Sequence, residues 1–231
     1  MNRIWNPTKS VISAFALLGA ATAMTAAMAA DPPAHIRGTI VSATPEDLTV
    51  RTNEGSVSVA FDAATRISGV VPSSLGQIKP GTFVGIANVP GTGASSALEV
   101  VVFPEALKGS GLGDYPWDLA PAAVRGGAQT SAMTNGTVKS STTTSEIATS
   151  SAMTNGTVKK TSNANGLVLT VDFGKGEKTI EVPSGVPVVG VVQADSSKLL
   201  PGARVFIATK PNAPKSAAFI AVGINGTVPP M

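Results

Sequence analysis

Tyr115-Pro116-Trp117-Asp118-Leu119 is the segment of this 231-residue chain with most to offer a partner. Beyond residue 29 there is one Trp and one Tyr, and both lie here. Indole and phenol rings supply large contact area with a polar tip, which suits them to interfaces. Tyr115, Trp117 and Asp118 are therefore the candidate partner contacts. The plainer reading has Trp117 packed on a wall of the fold, anchoring its segment, since lone aromatics more often fill cores than sites. That reading is the one we expect.

Other chemistry is sparse. His35 is the only histidine and there is no cysteine, so the usual zinc and transition-metal clusters cannot be assembled. A site for a hard cation would need gathered carboxylates, yet only Glu46-Asp47 are adjacent and no D-x-D-x-D-G loop occurs. No G-x-S-x-G is present, and a histidine-based triad would have to use His35, which reads as a solvated residue near a terminus. Gly109-Ser110-Gly111-Leu112-Gly113 resembles a phosphate loop in glycine spacing but lacks the following Lys-Ser/Thr, and reads as linker. The Asn-Gly-Thr triplets at Asn135, Asn155 and Asn225 read as turns entering strands rather than glycosylation sites. The chain is expected to be non-enzymatic and to carry no cofactor.

The first thirty residues differ from the rest. Arg3 and Lys9 precede an uncharged stretch, Val11 to Ala26, and Ala27-Met28-Ala29 places small residues where a signal peptidase needs them. We expect a signal peptide over 1–29, cleaved after Ala29, and a periplasmic or secreted product with no stable membrane insertion after cleavage. Removing the leader leaves 15 basic against 14 acidic residues. No basic run exceeds Lys159-Lys160, so the counterion-release contribution to nucleic-acid affinity is missing, and no nucleic-acid partner is expected.

The elements that must position the Tyr-Pro-Trp segment are strands, and they repeat. Leu48-Thr49-Val50, Gly69-Val70-Val71, Pro80-Gly81 and Val84-x-Ile86-Ala87 recur 121 residues later without a gap, as Leu169-Thr170-Val171, Gly190-Val191-Val192, Pro201-Gly202 and Val205-x-Ile207-Ala208. Gly55 and Gly176 extend the match to 12 identities over 40 positions. Alternation of apolar and polar residues in both copies predicts short strands, with Val84, Ile86, Val205 and Ile207 on the core face. The expected fold class is all-β: two tandem small OB-like barrels from an internal duplication, joined by a Gly/Ser/Thr-rich linker. Boundaries are 36–104 for the first barrel, 105–150 for the linker and 151–231 for the second barrel. Ser131–Lys139 (SAMTNGTVK) recurs identically at Ser151–Lys159. The downstream copy is assigned to the second barrel, matching Gly156-Thr157-Val158 to Gly38-Thr39-Ile40. The upstream copy is assigned to the linker, as loop or as a competing edge strand, and 126–150 is expected to be poorly ordered.

Arg37-Gly38-Thr39-Ile40, Lys79–Ala87, Pro116–Leu119, Met153–Val158 and Val228–Met231 carry a resemblance to a widespread set of uncharacterised exported proteobacterial proteins. Each half is similar to a small domain family of unknown function with an OB-like barrel. The resemblance implies export and the double barrel; a metal role resting on a His just before Pro-Trp would fail here, where Asp114-Tyr115 stands. The expected function is that of an exported non-enzymatic binding or scaffold protein of the cell envelope. Its partner would be an envelope protein, a peptide or a polysaccharide. The alternatives are a periplasmic metal-handling accessory protein and a hydrolase with an unrecognised site.

Overall fold

In the computed structural model the described residues are 1, 34–118, 131–144 and 166–230. The expected leader lies outside them apart from Met1, as does the downstream SAMTNGTVK copy. The protein is all-β. In chain order the strands are β1 (His35–Ala43), β2 (Asp47–Arg51), β3 (Ser56–Ala60), β4 (Arg66–Pro72), β5 (Phe83–Val89), β6 (Ser95–Val102) and β7 (Gly113–Trp117). They continue as β8 (Ser131–Thr144), β9 (Gly166–Asp172), β10 (Glu177–Val182), β11 (Val188–Gln193), β12 (Arg204–Lys210) and β13 (Ala213–Gly223). Between β4 and β5, and again between β11 and β12, the chain makes a single 3-10 turn and then a tight turn. The tight turns place Pro80 and Pro201 ahead of Gly81 and Gly202, whose φ of 91° and 87° is the left-handed value that glycine tolerates. Each is closed by a backbone bond, Thr82 to Lys79 and Ala203 to Leu200.

Five strands close into a ring in the order β10-β9-β8-β5-β6, sealed by the parallel pairs Ile180/Ser95 and Glu181/Ser96. The order β3-β2-β1-β12-β13 makes a matching arrangement, joined at Ser216/Ala60. Strand β4 runs along β13, β11 runs along β6, and β4 and β11 pair antiparallel with Val70 opposite Val191. Closure leaves few free edges, which matters for strands this short.

The alternating face is the core face. Val84, Ile86, Leu169, Val171 and Ile180 fill the first ring. Val205, Ile207, Leu48, Val50 and Val59 fill the other, and none of these ten residues is more than 3% exposed. A third apolar cluster lies outside both rings, where Val70, Val101, Val189, Val191, Phe206 and Ala221 meet.

Two expectations are corrected. Hairpins form within each repeat, β1–β2–β3 and β5–β6 in one, β8–β9–β10 and β12–β13 in the other, but neither ring is completed by one repeat. β1 pairs with β12 and β8 with β5, so each ring draws strands from both halves, and residues 34–230 belong to one compact unit. The boundaries 36–104 and 151–231 therefore do not separate two barrels. The Val-x-Ile-Ala strand is common to both repeats, so β12 offers β1 the same apolar face that β5 would. Second, the upstream SAMTNGTVK copy is not linker. It begins β8, which lies between β5 on one edge and β7 and β9 on the other, so its backbone groups are satisfied on both sides. Gly136-Thr137-Val138 takes the place assigned to 156–158, with a bulge at Lys139 where β1 has one at Val41. Met133 and Val138 lie on opposite faces of β8, and both are buried.

Candidate functional site

The Tyr-Pro-Trp segment enters the structure as β7, an antiparallel strand added to the N-terminal half of β8 beyond the reach of β9. Proline suits this position because β7 is an edge strand. Its placement is held by polar contacts. Asn88 Nδ2 donates to Thr134 Oγ1 (2.9 Å), Thr134 donates to Asp114 (2.6 Å), and Lys178 donates to the same carboxylate (2.9 Å). Asn135 Nδ2 donates to the Gly111 carbonyl and to Tyr115 Oη, at 3.0 and 2.9 Å. Gly85 makes this possible. A Cβ there would lie 2.6 Å from Asn135 Oδ1 and 3.1 Å from the Phe103 ring.

With β7 seated, Tyr115 and Trp117 share one face, as residues two apart on a strand must. That face meets the outer side of the β1–β12 ladder, where Arg37 pairs with Phe206 and His35 with Ala208. The His35 ring lies 4.5 Å from Trp117 and 5.2 Å from Phe206, and the Trp117 and Phe206 rings are 6.0 Å apart. The Arg37 guanidinium stands 5.1 Å from the centre of Phe206 and 5.9 Å from Trp117, within cation–π range. Asp118 closes the group. Arg37 donates to both its oxygens, at 2.7 and 3.1 Å, and His35 Nδ1 lies 3.1 Å from Oδ2. Burial raises the Asp118 carboxyl, but the Arg37 and His35 contacts outweigh it and hold the group below its ordinary value.

His35, Tyr115, Trp117 and Phe206 wall a cavity of about 350 Å³ whose lining is mostly apolar, with Arg37 and Asp118 outside it. Phe103, Leu107, Val70, Val191 and Phe219 supply the rest of its hydrophobic surface, and Arg66, Ser68 and Ser110 border it. The size and the ratio of apolar wall to polar groups fit a small-molecule site. Trp117 is partly buried, and its Nε1–H is buried without a hydrogen-bond partner. Such a donor costs about 1–3 kcal/mol until something accepts from it.

The three expected contacts, Tyr115, Trp117 and Asp118, thus converge, and two residues outside that expectation join them. His35 is not a solvated terminal residue: its side chain is 16% exposed and holds the centre of the aromatic stack. Phe206 was legible only as a contrast, because the outward position inside Val-x-Ile-Ala is Gly85 in one repeat and Phe206 in the other. A histidine oriented by a carboxylate is two parts of a hydrolytic relay. Ser68 and Ser110 border the cavity without a hydrogen bond to His35, so the third part is not assembled there. Among the described residues no three His, Asp or Glu side chains gather where they could share a cation.

No protein family, curated protein or solved structure matches this chain.

Proposed function

We propose that this chain is an exported, non-enzymatic binding protein of the cell envelope whose ligand occupies the cavity at Trp117. The observation that carries the reading is a cavity of about 350 Å³ walled by Trp117, Phe206, Phe103 and His35, with the indole N–H left without an acceptor. Core packing rarely leaves an apolar space of this size. Pre-formed ligand sites do.

The finer architecture, a duplicated OB-like barrel domain, is part of the same proposal. Its support is that the pairings recur in corresponding pairs: β1–β12 is answered by β8–β5, β3–β13 by β10–β6, and β4–β13 by β11–β6. OB-type barrels bind on one open face and its neighbouring loops. Here the site would instead sit on the outside, where two rings that exchange strands meet.

The test is titration of the full chain with N-phenyl-1-naphthylamine, a neutral dye that fluoresces when taken into an apolar site. Saturable enhancement, abolished by Ala208→Phe in a variant that still melts cooperatively, is the expected result. Unsaturable enhancement, or enhancement untouched by Ala208→Phe, overturns the reading.

A further inference from the structure

We propose that the Trp117 cavity takes a small carboxylate: a compact apolar or aromatic body inside, with the carboxylate held at Arg66. The inference rests on the binding reading above and adds the ligand's charge and polarity.

The argument is an inventory of hydrogen-bonding capacity. Two of the cavity's aromatic residues present donors. Trp117 Nε1–H is buried and unpartnered. Tyr115 Oη accepts from Asn135 Nδ2 at 2.9 Å, which leaves its own hydroxyl proton for another acceptor. Burial pushes the Tyr115 phenol up, so it stays a donor at neutral pH. The charged groups beside the cavity are Arg37, Asp118 and Arg66. Asp118 is engaged by Arg37 and His35. Arg66, exposed at the start of β4, borders the cavity and makes no ion pair among the described residues. Asn135 Oδ1 is a buried acceptor without a partner that lies against Gly85, so the site offers two donors, one acceptor and the Arg66 guanidinium against apolar walls. An acceptor-rich anion on an apolar body complements the two donors and the guanidinium, which outnumber the single acceptor; a cation meets the Arg66 charge with its own. Guanidinium groups bind carboxylates through paired hydrogen bonds, so the head of the ligand has a geometric partner as well as an electrostatic one.

Three probes of one shape separate the possibilities: 4-phenylbutyrate, its uncharged amide and 4-phenylbutylamine, each titrated calorimetrically into the full chain. The expected order is acid tightest, amide at least tenfold weaker, and amine without measurable binding. Arg66→Gln should weaken the acid about tenfold and leave the amide unchanged. Trp117→Phe, which keeps a ring and deletes the N–H, should weaken acid and amide alike. Equal binding of acid and amide, or an acid affinity indifferent to Arg66→Gln, overturns the carboxylate assignment. So does failure of all three probes to bind; if the neutral dye still binds, only the ligand class has failed and the cavity reading stands.

Discussion

Val70 and Val191 lie opposite each other where β4 meets β11, and they are 121 residues apart, the same interval that separates the matched positions of the two repeats. Their neighbours pair in kind: Val71 faces Gly190 and Gly69 faces Val192. The two halves thus approach each other with the same residues from opposite sides. Val70 is 0% and Val191 7% exposed, so this small contact is also part of the apolar cluster outside the rings.

Val70→Ala should cost about 2 kcal/mol, from about 0.8 kcal/mol for each buried methyl-sized group removed plus the cavity left behind. Val191→Ala should cost less, because Val191 is less completely buried. The double variant should fall short of or exceed the sum by about 0.5 kcal/mol or more, as residues in direct contact do. Urea melts of the four proteins measure the coupling. Additive losses would mean that the two valines pack on other neighbours and not on each other.

Trp117→Ala should destabilise the chain by about 2 kcal/mol, below the 3–5 kcal/mol of a fully buried aromatic because the ring is only partly covered. Trp117→Phe should recover most of that loss, since the stack on His35 and Phe206 needs a ring more than an N–H. A melting temperature indifferent to Trp117→Ala would mean that β7 is held by its ladder with β8 and not by the indole.

How far these features were legible in the sequence can be judged residue by residue. Strand positions and the buried faces at Val84, Ile86, Val205 and Ile207 follow from alternation, and these residues are buried. Partner choice does not follow from it. The Val-x-Ile-Ala strand occurs in both repeats, so no local property of β1 distinguishes β5 from β12. The two SAMTNGTVK copies are identical over nine residues, so propensity cannot select between them either. No local signal marks His35, because everything that engages it is remote in sequence: Trp117 ends β7, Asp118 directly follows it, and Phe206 comes from β12.

The pH dependence of stability should carry the signature of Asp118. Its carboxyl titrates lower in the folded chain than the ordinary 3.8, so its contribution is full above that value and fades as pH falls through the folded value. Asp118→Asn should lower stability at neutral pH and flatten the curve on the acid side. Asp62 and Asp195 are also held below their ordinary value, by Lys210 and by Ser197, so the wild-type curve keeps some slope that the variant shares. The difference between the two curves from about pH 5 downward isolates Asp118. A constant offset between them would assign the loss to packing rather than to charge.

Removing one 20-residue period, residues 131–150, leaves a single SAMTNGTVK followed by Lys160-Thr161-Ser162-Asn163-Ala164-Asn165-Gly166. That segment should take the β8 place, with Val158 opposite Val171 and an Asn-Gly turn leading into β9. The β8–β9 connection becomes about four times shorter, which lowers its closure entropy by about 1 kcal/mol. Against this stands the loss of the last few β8–β9 pairs, from Thr142 to Thr144. The variant should therefore fold, with a stability within about 1 kcal/mol of the parent. An unfolded product would mean that residues 140–144 contribute something to β8 that 160–164 cannot replace.

Neither ring can be completed by one half of the chain, and this governs how the molecule must fold. β1 is placed by β12, and β8 by β5, so the first strand waits for nearly the last. Contacts at such separation require large loops to close before any apolar burial offsets them, the condition associated with slow folding. A nascent chain that stops after β11 has β2 but not β12 beside β1, and has closed only the ring built from β5, β6, β8, β9 and β10. The ring formed by the N-terminal three strands stays open until the C-terminal hairpin arrives. The ring that holds the N-terminal strands is therefore the last to close.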